Sequence, residues 1–244
     1  MTVEGKRALV TGGSRGIGSA IAKRLAADGA DVAITYASNR SAADATVAAI
    51  KANGRKGFAF QADAGDAASQ RAGFEAAIEA LGSVDILVHN AGVTGAATID
   101  QDTDEAFDHI FAVNVRGIHV GTRAALPHMP DGSRIILIGS IGGAAAPFPG
   151  LSTYSASKAA LAGFARGWAR DLAARRILVN VVHPGPIDTD MAPTGDAGEM
   201  FRQAVPLGRF GTVEELAGSV AFLAGPDASF ITGTVITVDG GMLI

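Results

Sequence analysis

Seven apolar runs of strand length punctuate the chain, at about 6–11, 31–36, 57–61, 84–89, 133–140, 176–183 and 234–238, with Gly or Asp at their ends. Between them lie Ala-rich amphipathic stretches at about 16–28, 41–53, 66–82, 104–126, 152–174 and 212–224, which read as helices. The runs are apolar at successive positions rather than at every second one, so each strand needs cover on both faces. Strand and helix alternating in this way predict a doubly wound α/β fold: one seven-stranded parallel sheet, right-handed crossovers, and a single domain over residues 1–244. One segment breaks the rhythm. At about 187–206, with Pro193, Gly195, Gly198 and Pro206, the connection is long for a compact domain, and insertions of this kind often serve as substrate lids.

Composition narrows the chemistry. A chain of 244 residues with 48% hydrophobic content is large enough to bury roughly three quarters of its unfolded surface in one core. The net charge is −4 and the 20 Lys and Arg residues are scattered, so no basic footprint for nucleic acid or anionic lipid is expected. The absence of cysteine excludes disulfides, a thiol nucleophile and thiolate metal sites, and agrees with a reducing compartment. No charged-then-apolar leader and no long apolar span is seen, so a cytoplasmic protein off the membrane is expected. Histidines 89, 109, 119, 128 and 183 lack the spacing of a zinc site, and no metal is expected. The expected partner is a small molecule.

The first strand runs into Thr11-Gly12-Gly13-Ser14-Arg15-Gly16-Ile17-Gly18 and then a helix. A helix start exposes unpaired N–H groups at the positive end of the macrodipole, so backbone brought close to it forms a seat for a pyrophosphate. Gly12, Gly16 and Gly18 supply that access, although their G-x-x-x-G-x-G spacing differs from the commoner G-x-G-x-x-G of dinucleotide sites. The same residues also spell G-x-S-x-G, the nucleophile elbow of a serine hydrolase, with Ser14 as the nucleophile. That reading is disfavoured because the elbow would follow the first strand with no oxyanion loop upstream, and the last histidine, His183, precedes the final crossover.

An NAD site usually carries an acid on the ribose hydroxyls at the end of the second strand. Here that stretch reads Ile34-Thr35-Tyr36-Ala37-Ser38-Asn39-Arg40-Ser41, and Asp31 and Asp44 lie at the wrong ends of their elements. Arg40 and Arg15, helped by Ser38, Asn39 and Ser41 at a helix start, suit a 2'-phosphate instead, so NADP(H) is expected over NAD(H).

Tyr154 and Lys158 stand four apart on a predicted helix and so share a face. A neighbouring ammonium favours phenolate, so the tyrosine pKa is expected to fall and make the group a usable acid and base. Ser140 ends the fifth strand at the carboxyl edge, where sheets of this type bind ligands, and its hydroxyl could steady a carbonyl oxygen.

With these residues in view, the chain resembles the short-chain dehydrogenase/reductase family over essentially its whole length, and the resemblance implies a Rossmann fold. The family's glycine loop falls on Thr11, Gly12, Gly16 and Gly18 with Ser14, Arg15 and Ile17 between them, its adenine-contacting acid on Asp63 and its N-A-G turn on Asn90, Ala91 and Gly92. Its active-site asparagine would be Asn114, with Ser140, Tyr154 and Lys158 completing the catalytic group. The P-G turn would be Pro184 and Gly185, followed by Ile187 and Thr189 against the nicotinamide carboxamide. His89 and His183 depart from the common pattern at positions that carry no chemistry in the family.

The resemblance implies reversible reduction of a ketone or aldehyde, with the proton from Tyr154, the carbonyl oriented by Ser140, and Lys158 linked to solvent through a water on the Asn114 main chain. It also implies a homotetramer, a dimer being the lesser alternative, and the wide apolar character of the helix carrying Phe164 and Trp168 agrees with a second buried face. The segment from Asp190 to Phe201, which includes Met191 and Pro193, and the turn from Gly142 to Pro149, which includes Pro147, are expected to line a mostly apolar pocket. Many relatives of this general appearance are 3-oxoacyl-(acyl-carrier-protein) reductases. Arg175 and Arg176 could dock an acidic carrier, but Asp131 stands where a basic residue is usual, so free carbonyls are expected first. A nucleotide sensor without turnover is disfavoured by the intact Ser140, Tyr154 and Lys158.

Overall fold

A computed structural model describes residues 3–146, 148–190, 192 and 194–244. Its strands are β1 (Arg7–Val10), β2 (Asp31–Tyr36), β3 (Gly57–Gln61), β4 (Ile86–His89), β5 (Arg134–Ile138), β6 (Leu178–Pro184) and β7 (Val235–Val238). All pair in parallel, in the order β3-β2-β1-β4-β5-β6-β7. The chain winds outward from β1 to β3, then returns to β4 on the other side of β1. The crevice of such a sheet opens at that switch, beyond the carboxyl ends of β1 and β4.

Each strand is apolar on both sides because each side meets a helical layer. Val10, Ile34, Val88, Ile136 and Val182 face a core completed by Ile21, Leu25, Ile50, Leu216 and Val220 from α1 (Gly16–Ala27), α2 (Arg40–Ala52) and α8 (Val213–Ala224). Leu9, Leu87, Leu137 and Val181 face the opposite core, built with Phe74, Ile118 and Leu161 from α3 (Ala67–Leu81), α5 (Gly117–Ala125) and α6 (Ser152–Asp171). The expected seven-stranded, doubly wound sheet is thus the observed one.

Two elements differ from expectation. The helix expected over 104–126 is α4 (Asp104–Phe111) and α5 joined by a five-residue π-turn, Ala112–Arg116. Periodicity does not register the extra residue, because the apolar stripe resumes one turn later. The second difference is α7 (Gly195–Ala204), inside the segment read as an irregular insertion. Gly195, Gly198 and Pro206 mask its pattern, but Asp196 in its first turn, Arg202 in its last and a 3.0 Å Glu199–Arg202 ion pair support a helix there. Met191, Pro193 and Pro147, named above as pocket residues, lie outside the described residues.

Candidate active site

The loop after β1 is locked to the turn after β4. Thr11 Oγ1 accepts the backbone N–H groups of Asn90 and Ala91, both at 3.0 Å, while Asn90 Nδ2 donates to the carbonyls of Thr11 (3.0 Å) and Gly12 (3.1 Å). At Gly18 a Cβ would stand 2.3 Å from the Gly12 carbonyl oxygen and 2.4 Å from Asn90 Nδ2, so no larger residue fits. Gly16 has a φ of +52°, a left-handed conformation that a side chain would strain. The N-cap of α1, Arg15, makes no side-chain capping bond, so the helix's first amides stay directed at the crevice. A narrow cradle of bare backbone at a helix N-terminus fits a pyrophosphate.

Asn114 sits in the π-turn, fully buried. Its Oδ1 accepts Val93 N at 2.9 Å and its Nδ2 donates to Val93 O at 2.9 Å and to Ser157 Oγ at 3.1 Å. Ser157 in turn donates to the Tyr154 carbonyl at 2.7 Å, so Asn114 couples the turn after β4 to α6. Gly92 closes the group: a Cβ there would come 3.1 Å from Lys158 Nζ and 3.3 Å from Asn114 Oδ1. Ser140 leaves β5 to cap a 3-10 turn (Ile141–Gly143), its Oγ accepting Gly142 N at 3.0 Å.

Tyr154 and Lys158 share one face of α6, the Lys158 Nζ lying 5.9 Å from the phenol ring centroid and donating to the Ile138 carbonyl at 3.1 Å. Lys158 is only 5% exposed. Burial lowers its pKa to about 8. The expected lowering of the tyrosine is corrected: burial of the phenol raises its pKa, and the Ser140 hydroxyl only partly offsets this. Lys158 donates to the Ile138 carbonyl, and enclosure of the phenol outweighs the neighbouring charge.

At the end of β2, Arg40 opens α2 and is 71% exposed, but its Nε is held by Asp44 at 3.0 Å and 3.2 Å. Asp44, placed by sequence at the wrong end of its element, reaches back one helical turn, and with Tyr36 it stabilises the guanidinium charge. Asn39 uses its side chain to cap α2, accepting Ala42 N at 3.0 Å. Asp63 is exposed and accepts Gly65 N at 2.8 Å. Arg15 lies 3.7 Å from Asp190 across the crevice. On the far side, Gly185 donates to the Val238 carbonyl at 2.9 Å. Ile187 bridges to Gly211, and Thr189 passes over Gly16, its Cγ2 3.7 Å from where a Cβ would lie. No histidine hydrogen-bonds to Ser14 among the described residues, so its hydroxyl has no base.

Over this floor, Phe148 from the turn after Ser140 meets Phe201 of α7, with ring centroids 4.6 Å apart, so the two expected walls of the pocket touch. Arg175 is bound to Asp131 (3.3 Å) and to the carbonyls of Leu126 (3.2 Å) and Met129, and so is held against its own surface.

The family model described as enoyl-(acyl carrier protein) reductase matches residues 12–243. The cyclic-di-GMP-binding biofilm dispersal mediator protein of Escherichia coli K12 is 42% identical, with 97% of this chain and 96% of the relative covered. The 3-oxoacyl-(acyl-carrier-protein) reductase FabG of Staphylococcus aureus Mu50 is 40% identical, covering 97% and 98%. A short-chain dehydrogenase from Burkholderia cenocepacia J2315, solved in complex with NADP, superposes with a TM-score of 0.97 at 48% identity over 100% of both chains.

The chain belongs to the short-chain dehydrogenase/reductase family.

As a member of that family it is an oxidoreductase with a Rossmann-type sheet. Thr11, which the sequence places in the glycine loop, proves to tie the cradle to the turn after β4. Sequence reasoning missed two further groups that build the crevice. Gly13 packs so tightly that a Cβ would lie 2.5 Å from Ile34 Cγ2, which no local pattern announces. Ser157 links Tyr154 to Asn114 across 43 residues, a contact that only the tertiary structure creates.

Proposed function

We propose that this protein is an NADP(H)-dependent reductase of ketones or aldehydes, acting reversibly. The observation that carries the reading is the meeting of Ser140, Tyr154 and Lys158 at the carboxyl edge of the sheet, directly beside the glycine cradle. The cradle admits only backbone where a pyrophosphate would rest, so the residues fit a dinucleotide. Gly12, Ser14, Gly16, Ile17 and Gly18 seat the pyrophosphate, Arg15, Tyr36, Ser38, Asn39 and Arg40 surround the 2'-phosphate, and Asp63 meets the adenine. Asn90, Ala91 and Gly92 back the cradle, while Pro184, Gly185, Ile187 and Thr189 flank the carboxamide.

The chemistry such a dinucleotide supplies is a hydride to the carbonyl carbon. Ser140 Oγ orients the carbonyl oxygen, and Tyr154 Oη gives it a proton as it gains charge. Burial keeps the phenol protonated near neutral pH, which suits a donor. Lys158 holds the nicotinamide ribose, and a water on the Asn114 main chain returns the proton to the pair from solvent. Alcohol oxidation runs the same path backwards and needs the phenolate. The Phe148–Phe201 contact favours apolar, uncharged substrates.

Reduction of a carrier-bound 3-oxoacyl group is the second reading, supported by the 40% identical FabG relative. Arg175 bound to Asp131 counts against it. We place the protein in the cytoplasm as a homotetramer. Phe164, stacked on Trp168 at 4.5 Å, and Phe111, stacked on the 44% exposed Phe107 at 4.4 Å, line a cavity of about 580 Å³ between α4, α5 and α6 that suits a second subunit. The test is a panel of free carbonyls and acetoacetyl thioesters with both nucleotides, read by nicotinamide absorbance. Turnover of free ketones with NADPH supports the first reading, and preference for thioesters the second. Nucleotide binding with no turnover would make the protein a sensor.

A further inference from the structure

Buried polar side chains near the sheet are mostly paired within the protein. His89 meets Thr122 Oγ1 at 2.9 Å, and Asn180 Nδ2 donates to the Ile231 carbonyl at 2.8 Å. His183 stands apart. It is 1% exposed, yet neither Nδ1 nor Nε2 has a hydrogen-bond partner among the described residues. A neutral imidazole carries one donor and one acceptor, and buried polar groups are satisfied by protein or by ordered water in the great majority of cases.

Its position ties it to the catalytic group. His183 follows Val179 and Val181 on the side of β6 covered by α6, and its ring fills the space above Gly139. A Cβ at 139 would lie 2.3 Å from His183 Cδ2 and 2.7 Å from Nε2. Gly139 stands between Ile138, whose carbonyl accepts Lys158 Nζ at 3.1 Å, and Ser140. Burial first and the Lys158 charge second hold the imidazole down to about 4, so it is neutral at physiological pH. A second unpartnered buried atom is Ser155 Oγ on α6, 3.4 Å from where a Cβ of Gly142 would lie. Unpartnered polar side chains thus stand against Gly139 and Gly142, the residues that bracket Ser140 and Ile141.

We infer that His183 is a positioning residue: with the Ser155 hydroxyl it holds an internal water behind the Ser140 turn, and that water gives the Lys158 ammonium a second polar contact beyond the Ile138 carbonyl. A polar pocket offering two to four partners is where internal water is retained. The charged group acting on the ring is Lys158 from α6. The elements packed beside it contribute uncharged groups, namely Gly139 after β5 and Thr237, the exposed register partner on β7. The inference rests on the carbonyl-reductase reading.

His183→Leu keeps the volume and removes the hydrogen bonding, whereas His183→Asn keeps a polar group that does not titrate. In alcohol oxidation, His183→Leu lowers kcat about tenfold with little change in KM, the size expected for losing a hydrogen bond to a charged group. A less firmly held ammonium favours phenolate less, so the acid limb of kcat/KM moves up by about half a pH unit. His183→Asn restores most of both. A shift in melting temperature with an unmoved acid limb means packing alone and overturns the inference. If the Leu variant does not fold, an atomic-resolution crystal structure of the wild-type protein decides. A water bonded to the His183 ring and within reach of Lys158 supports the inference, and ring nitrogens facing only carbon overturn it. Absence of any carbonyl turnover would fail the reductase reading, while the crystallographic water would still judge His183.

Discussion

The two ends of the crevice are built by different physics. At the glycine cradle, Gly18 is fixed by a would-be Cβ contact of 2.3 Å, and the Thr11 and Asn90 bonds that lock the loop are partly buried. The proposed 2'-phosphate contact rests on exposed side chains already engaged in ion pairs, Arg40 beyond β2 with Asp44 and Arg15 in the loop after β1 with Asp190. A steric site tolerates nothing larger. An exposed electrostatic site is worth little per pair and is open to retuning, because solvent screens it and each partner has alternatives.

The proposed catalytic group, Ser140, Tyr154 and Lys158, belongs with the rigid end, and breaking it should have the largest effect. Tyr154→Phe removes the proton donor and should lower carbonyl-dependent NADPH oxidation by about 10²- to 10⁴-fold with cofactor binding retained. A variant that keeps its rate would show that the proton comes from elsewhere. Gly18→Ala should cost about 1–3 kcal/mol of stability through the forced contact and weaken nucleotide binding with it. Thermal melts and a cofactor titration read both, and an unchanged affinity would mean that the loop relaxes freely.

The electrostatic end should respond more gently. Arg40→Asp should shift the NADPH/NADH ratio of kcat/KM about 10- to 100-fold toward NADH, since it removes a charge-assisted bond and sets an acid beside Asp44. An unchanged ratio would move the phosphate contact to Arg15. Asp44→Asn frees Arg40 and should tighten NADPH binding about 2- to 5-fold, the scale of an exposed ion pair. Loosening instead would show that Asp44 aims the guanidinium.

Acid sensitivity sharpens the same contrast. Burial lowers the pKa of His89 to about 3 from its ordinary 6.5, so the folded state resists a proton that the unfolded chain accepts. The neutral ring carries no penalty above pH 6.5. As pH falls below that value, stability drops by about 1.4 kcal/mol per unit until the folded pKa is reached. His183, held to about 4, adds a like slope, so melting temperatures between pH 7 and 4 should fall with both, and His89→Gln should remove about half of the dependence.

Much of this was legible in the chain itself. The seven strands and the doubly wound architecture were written in apolar runs covered on both faces, while the strand order came from the packed chain. The glycine loop and the Tyr154–Lys158 spacing were visible because both are local. The π-turn was not, since one inserted residue barely disturbs an apolar stripe, and α7 was hidden by its glycines. Nor was the Arg40–Asp44 pair foreseen, because Asp44 was judged by its distance from the strand end rather than by its reach along the helix.

What the amino-acid order alone determined is the sheet and the local chemistry at its edge, because periodicity, glycine and i,i+4 spacing act within a few residues. What the tertiary structure decided is how those groups behave. Enclosure raised the Tyr154 pKa where neighbour charge had promised to lower it, Ser157 joined the tyrosine to Asn114, and His183 came to rest unpartnered above Gly139. Burial and long-range hydrogen bonds depend on which surfaces meet, and that is settled only when the whole chain packs.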